Sequence, residues 1–188
     1  PDLEGARRER VLDDLADEAR ELSLLTDELI DLVADRRSDD PPREVDLGAL
    51  VVRAVERAAR RSDHEYAVEA EPAVVVGQPA ALLRAVANLL DNAAKFSPPG
   101  TRIEVRAFGG VIEVRDHGPG IGDADLPRVF DRFYRADAAR SLPGSGLGLA
   151  IVARVAHDHG GAVRAANAPD GGAEISLALP TVGVGPSA

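Results

Sequence analysis

The sequence predicts an α+β domain in which hairpin strands are mixed with three helices, set behind one long helix. Three observations predict it. Residues 3–36 carry Leu12, Leu15, Ala19, Leu22, Leu25, Leu29, Leu32 and Val33 at steps of three and four among Asp, Glu and Arg. Residues 103–116 alternate apolar and polar on either side of Gly109-Gly110, a hairpin signal. Between 44 and 180 strands and helices do not follow one another as regular βαβ units, which disfavours a dinucleotide-binding doubly wound fold.

The elements follow in order. The seam of the first helix is narrow and flanked by charge, so it reads as one arm of a helical bundle over residues 1–38. A lone helix of this kind is marginal in water and needs a partner. Pro41-Pro42 mark a linker over 39–43. Glu44–Leu47 reads as a short strand, Leu47–Arg61 as a helix, His64–Ala70 as a strand with Tyr66, Val68 and Ala70 on one face, and Ala73–Val76 as a short buried strand. Pro79–Phe96 is a helix with proline in its first turn. Ile103, Val105 and Ala107 share a face in the next strand, as do Ile112, Val114 and Asp116 in the one after. Leu147–His159 is a helix stopped by Gly160-Gly161. Val163–Ala166 and Ala173–Leu179 are strands joined by Pro169-Asp170-Gly171-Gly172, and 181–188 reads as a disordered tail.

Composition narrows the function. The chain has 188 residues, 45% of them hydrophobic but 3% aromatic, so its core must be aliphatic. Lys+Arg number 22 against 32 Asp+Glu, a net charge of −10, which disfavours nucleic acid and anionic membranes as partners. Cysteine is absent, which excludes disulfides, thiolate chemistry and Cys-ligated zinc. No apolar run is long enough to span a bilayer, and no signal peptide opens the chain.

Three patterns carry chemistry. On the 79–96 helix, Leu82, Leu83, Val86, Leu89, Leu90 and Ala93 fall on one side, and Asn88, Asn92 and Lys95 on the other. A solvated face is the bland reading, but asparagine is a poor choice for an exposed helix interior. Lys95 is also the chain's one lysine. A carboxamide oxygen can ligate Mg²⁺ and an ammonium can meet phosphate. Next, Asp116-His117-Gly118-Pro119-Gly120-Ile121 puts a carboxylate at the buried end of a strand, where it needs a partner. It is either a turn-initiating Asp or an acceptor for an exocyclic amine such as adenine's. Last, Gly144-Ser145-Gly146-Leu147-Gly148-Leu149 runs into a helix, where glycines allow close approach and free N–H groups face an anion. No Gly-Lys-Ser/Thr follows, so this is not a P-loop. Between the last two lies Phe130-Asp131-Arg132-Phe133-Tyr134-Arg135, within a polar stretch from 122 to 143 that suits a mobile lid.

The order and wording of these motifs resemble the N, G1, F and G2 boxes of sensor histidine kinases, across about residues 44–180. His117-Gly-Pro-Gly, Arg132-Phe-Tyr-Arg and Leu142-Pro-Gly-Ser-Gly-Leu-Gly-Leu-Ala-Ile-Val resemble the actinobacterial, MprB-like members. The resemblance implies the Bergerat (GHKL) α/β sandwich, a mixed, mainly antiparallel sheet with three helices on one face. It implies ATP and Mg²⁺ as ligands, with Asn92 on the metal and Asn88 and Lys95 along the triphosphate as the catalytic pair. Asp116 would accept from the adenine amine, and Gly118 and Gly120 would shape the base pocket. Gly144, Gly146 and Gly148 would bring backbone to the phosphates. Further nucleotide contacts are implied for Phe96, Ile121, Phe133, Ser145, Leu147 and Leu149; Arg132 and Arg135 would meet phosphate or the phosphoacceptor helix. Three positions depart from the family: Phe96 stands for Tyr, Gln78 for Asp and Ala173 for Thr.

The family's phosphoacceptor motif is absent. His64, His117, His157 and His159 read as structural, so the acceptor histidine is expected on a dimerisation helix upstream of Pro1, with residues 3–36 as the second helix of that domain. The implied whole is a homodimeric inner-membrane sensor, with this chain in its cytoplasmic part and a response regulator as phosphoryl acceptor. Two rivals stay open. One is an ATP hydrolase of the same fold group; those carry a glutamate base where Asn88 stands, and asparagine cannot take a proton from water. The other is a nucleotide-binding interaction module without phosphotransfer.

Overall fold

The computed structural model describes residues 41–136, 142 and 144–182. The helix expected over 3–36 and residues 183–188 lie outside them. The elements are β1 (Arg43–Asp46), α1 (Leu47–Ala59), β2 (Glu65–Ala70), β3 (Val74–Gly77), α2 (Pro79–Phe96), β4 (Arg102–Phe108), β5 (Val111–Arg115), a 3-10 turn (Leu126–Arg128), α3 (Gly148–Asp158), β6 (Ala162–Asn167) and β7 (Ala173–Ala178).

Local chemistry sets the helix ends. Asp46 caps α1, its Oδ1 accepting from Gly48 N at 3.0 Å and Ala49 N at 3.4 Å. Pro79 opens α2. Ser97 closes it, because the following Pro98 disfavours helical backbone there and Ser97 sits at φ −71°, ψ 140°. Gly160 ends α3 with φ +69°.

Five strands form one sheet in the order β2-β4-β5-β7-β6. The β2–β4 pair is parallel and the others are antiparallel. Period-two alternation sorts the faces. Ile103, Val105, Ala107, Ile112, Val114, Ile175 and Leu177 point inward and are buried. Leu50, Val51, Leu82, Val86, Leu89, Leu90, Val152 and Val155 from the three helices complete that core. The opposite face is charged and in register: Glu104 opposes Arg115, Arg106 opposes Glu113, and Arg115 opposes Glu174. Opposite charges across strands suit a face turned to water, so the helices pack on the other side alone. The α+β sandwich with three helices on one face is therefore what the chain forms.

Several expectations are corrected. The Ala73–Val76 strand begins and ends one residue later, and it is not a buried strand of the main sheet. It pairs antiparallel with β1 in a separate two-stranded sheet, leaving Val76 53% exposed. Arg43, placed in the linker, already belongs to β1. Leu83 is only partly buried, and Ala81 and Ala85 take its place on the inward side of α2. The chain at 181–182 is not a loose tail: Thr181 bridges Val75, and Val182 N donates to Val74 O at 2.8 Å.

Three of the four histidines have structural partners, and His157 is exposed on α3. His159 ties α3 to α2: its Nδ1–H donates to Val155 O at 2.7 Å, and its Nε2 accepts from Gln78 N–H at 3.0 Å. Gln78 caps α2 without a side-chain bond of its own. His159→Ala would strip Gln78 N–H of its partner, while Val155 O keeps the backbone N–H of residue 159, and leaving a buried donor unmet costs about 1–3 kcal/mol. The expected result is a melting temperature lower by several degrees in differential scanning calorimetry, with the heat capacity change retained. His64 has its two ring nitrogens 3.1 Å from Thr101 O and Ala94 O. His117 Nε2 lies 3.2 Å from Glu104 Oε1.

Candidate functional site

Asp116 follows the last residue of β5 and continues its inward face, so the fold carries a carboxylate into the interior, where it is 4% exposed. Two backbone amides offset its desolvation. Gly118 N donates to Oδ1 at 2.8 Å, and Ala173 N donates to the same oxygen at 3.0 Å. Asp116 N in turn donates to Ala173 O at 2.9 Å. Among the described residues Oδ1 alone is bonded, so Oδ2 retains its acceptor capacity.

Glycines let three segments meet at this point. A Cβ on Gly118 would lie 2.4 Å from Phe96 O, which puts the end of α2 against the Asp116 turn. A Cβ on Gly172 would lie 1.9 Å from Asp116 O, and Gly172 has φ +84°. The turn between β6 and β7 is thus in backbone contact with the carboxylate's own residue. On the outer side the same turn is held by an ion pair of Asp170 with Arg115. The hydrogen bond from Arg115 holds the Asp170 carboxyl below the usual carboxylate range.

The glycine loop lies along α2. A Cβ on Gly144 would be 3.0 Å from Lys95 Nζ, and one on Gly148 would be 3.6 Å from Asn88 Oδ1. The start of α3 has no side-chain cap, so its first N–H groups point out of the helix without a side-chain acceptor. Among the described residues Asn88 Nδ2 is buried with no hydrogen-bond partner. An orphaned buried amide beside an uncapped helix start is a site shaped for a polar ligand. Asn92 and Lys95 are half-buried further along α2, with Lys95 Nζ 5.1 Å from the Phe96 ring centroid. Among the described residues no cluster of three or more His, Cys, Asp or Glu could hold a metal unaided. The carboxamide oxygen of Asn92 is a donor of the kind that Mg²⁺ accepts.

The structure brings together Asn88, Lys95, Phe96, Asp116, Gly118, Gly144 and Gly148. Gly120 has φ +78°, beside Ile121. The Phe130–Arg135 segment packs on the glycine loop: Phe133 N donates to Gly146 O at 3.1 Å, and a Cβ on Gly146 would be 2.7 Å from Tyr134 O. Its side chains take other directions. Arg132 and Phe133 are exposed, and Arg135 Nη2 donates to Leu142 O. Residues 122–136 form successive turns about the 3-10 segment; 137–141 and 143 lie outside the described residues. Ser145 Oγ accepts from Leu147 N at 3.2 Å. Leu147 is 1% exposed and belongs to the core, and its carbonyl accepts from Ile151 N at 2.9 Å; Leu149 also packs against the core. Sequence reasoning missed Gly172 and Asn167 at the site. Gly172 had a signal, as the second of two glycines before a strand. Asn167 had none, because its partner is 46 residues away.

A mixed five-stranded sheet, three helices on one face and a glycine loop laid along an Asn-bearing helix define a nucleotide-binding type of α+β domain. The family model described as "Histidine kinase-, DNA gyrase B-, and HSP90-like ATPase" matches residues 77–183, and the chain belongs to that family. Among individual relatives, the signal transduction histidine-protein kinase/phosphatase MprB of Mycobacterium sp. strain KMS is 46% identical over 165 residues, covering 85% of this chain and 32% of that protein. The MprB of Mycolicibacterium smegmatis is 44% identical over 177 residues, covering 89% of this chain and 36% of that protein. The chain thus spans about a third of the length of these curated relatives. Among solved structures, a mycobacterial sensor histidine kinase MprB superposes with TM-score 0.67 at 43% identity, covering 74% of this chain and 97% of that chain. The ATP-binding domain of PrrB from Mycobacterium tuberculosis gives TM-score 0.61 at 32% identity, covering 77% of this chain and 100% of that chain. The resemblance read from the four motifs is borne out, its MprB-like form included.

Proposed function

We propose that this chain is the ATP-binding catalytic part of a sensor histidine kinase, which hands the γ-phosphoryl group of ATP to a histidine on a dimerisation helix. The observation that carries the reading is Asp116: a buried carboxylate with one oxygen locked by two amides and the other left to accept. An adenine amine suits that oxygen, whereas a guanine carbonyl would face it acceptor to acceptor.

The triphosphate would then run from Asp116 along α2 toward the glycine loop. Asn88 Nδ2 would donate to it, Lys95 would lend positive charge, and the amides at the start of α3 would meet phosphate oxygens. Asn92 would be the protein ligand of Mg²⁺, which when bound neutralises phosphate charge. Arg132 and Arg135 would meet phosphate or the acceptor helix once the Phe130–Arg135 segment is rearranged. The attacking group would be an imidazole nitrogen brought by the dimerisation helices, so this chain has no nucleophile to activate. Its task is to position the nucleotide and stabilise charge. Asn88 stands where a hydrolase would need a carboxylate base, which supports transfer over hydrolysis.

The wider arrangement belongs to the same proposal. Residues 1–38 would supply the second helix of the dimerisation domain, and a homodimer would bring the acceptor helix to the site. The phosphoryl group would pass on to a response regulator. The whole protein would be an inner-membrane sensor with this part in the cytoplasm. Among the described residues no helix is long and apolar enough to cross a membrane.

The test uses γ-labelled ATP. This polypeptide alone should bind the nucleotide yet gain no acid-labile phosphohistidine; label should appear when the helical hairpin bearing the acceptor histidine is added. Steady release of phosphate by the fragment alone would instead favour the hydrolase.

A further inference from the structure

We infer that Asn167 is a positioning residue for the base pocket, a deepening that rests on the nucleotide reading above. Asn167 is the last residue of β6, exposed, and outside every motif in the sequence. Its carboxamide makes two bonds to one residue. Ile121 N donates to Asn167 Oδ1 at 2.7 Å, and Asn167 Nδ2 donates to Ile121 O at 2.7 Å. Both main-chain groups of Ile121 are thereby met by one side chain, as a paired strand would meet them.

The other end of the same turn is held by the residue opposite Asn167. In the β6–β7 ladder Asn167 is paired with Ala173; Ala173 O accepts from Asp116 N, and Ala173 N donates to Asp116 Oδ1. One cross-strand pair therefore grips both ends of Asp116–Ile121: Ala173 at the carboxylate, Asn167 at the exit. Between them Gly120 has φ +78°, and a Cβ there would come 2.8 Å from Asn167 Oδ1. The glycine leaves room for the carboxamide as well as permitting the turn. With both ends pinned to the sheet, the Asp116 turn keeps its shape without ligand, and binding need not order it.

Ile121 and Asn167 both lie toward the surface, so loss of the clamp should show in binding more than in global stability. Three variants separate the roles. Asn167→Ala removes both bonds. Asn167→Asp keeps an acceptor for Ile121 N but sets a carboxylate oxygen against Ile121 O. Asn167→Gln carries the same amide on a longer arm. Isothermal titration of Mg²⁺-ATP and Mg²⁺-ADP should show both Kd values raised about tenfold by Asn167→Ala, and at least as much by Asn167→Asp. Asn167→Gln should recover part of the loss. The melting temperature should fall by no more than about 3 °C, and Ile121 amide exchange should quicken in ligand-free Asn167→Ala. Unchanged Kd values with a lowered melting temperature would overturn the proposal and make Asn167 a purely structural tie. A loss on ATP without a loss on ADP would also overturn it, since the base is common to both. Wild-type chain that binds neither nucleotide would instead sink the nucleotide reading, and this inference with it.

Discussion

Asp116→Asn is expected to raise the Kd for Mg²⁺-ATP by roughly 30- to 150-fold, from about 2–3 kcal/mol lost at a buried polar contact. The argument turns on which atoms the asparagine can offer. Gly118 N–H and Ala173 N–H both point at Oδ1, so the carboxamide oxygen must take that place. Its NH₂ then occupies the position of Oδ2 and meets the adenine amine donor to donor. A guanine carbonyl there would instead find a donor, so the same change should narrow the preference for ATP over GTP. Titration calorimetry with both nucleotides measures the two effects together. The two amides remain satisfied, so the melting temperature should move little. Wild-type affinity in Asp116→Asn would mean that the base does not sit at this carboxylate.

The fold was legible where information is local. Pro79 and the Ser97-Pro98 junction bound α2 at the residues expected, because each acts through its own backbone. The β4–β5 hairpin was legible because Gly109 and Gly110 carry positive φ, at +54° and +86°. The separation of β3 from the main sheet was not. Four residues rich in valine look alike whether they join a central sheet or pair with β1, and tertiary pairing decides. The ordering of 181–182 was hidden for the same reason, since it depends on β3 as a partner. At the site, the residues found by motif are those that a short segment can present: Asn88 and Lys95 on one helix face, Asp116 at a strand end, the glycine loop before a helix. The residues missed work across the sheet. Asn167 reaches Ile121 over 46 positions, and no local pattern encodes that contact.

Gly172→Ala should be the most damaging small substitution at the site, although it lies outside the nucleotide motifs. Gly172 is buried at φ +84°, where alanine carries about 1–2 kcal/mol of backbone strain. The added methyl would sit 1.9 Å from Asp116 O and 2.8 Å from Asp116 C. Those atoms are main chain, so no rotamer relieves the clash; the β6–β7 turn must withdraw from the Asp116 turn. Withdrawal breaks the exchange of bonds between Ala173 and Asp116. Strain and lost bonds together come to roughly 3–5 kcal/mol, about 10 °C or more in melting temperature for a domain of this size. Nucleotide affinity should fall as well, because the carboxylate loses one of its two fixing amides. Gly171→Ala is the control. Gly171 also has positive φ, at +100°, but its Cβ would meet nothing within 4 Å. It should carry strain alone, with a smaller fall in melting temperature and near-normal ATP binding. Equal effects from the two substitutions would mean that strain, not contact with Asp116, governs this turn.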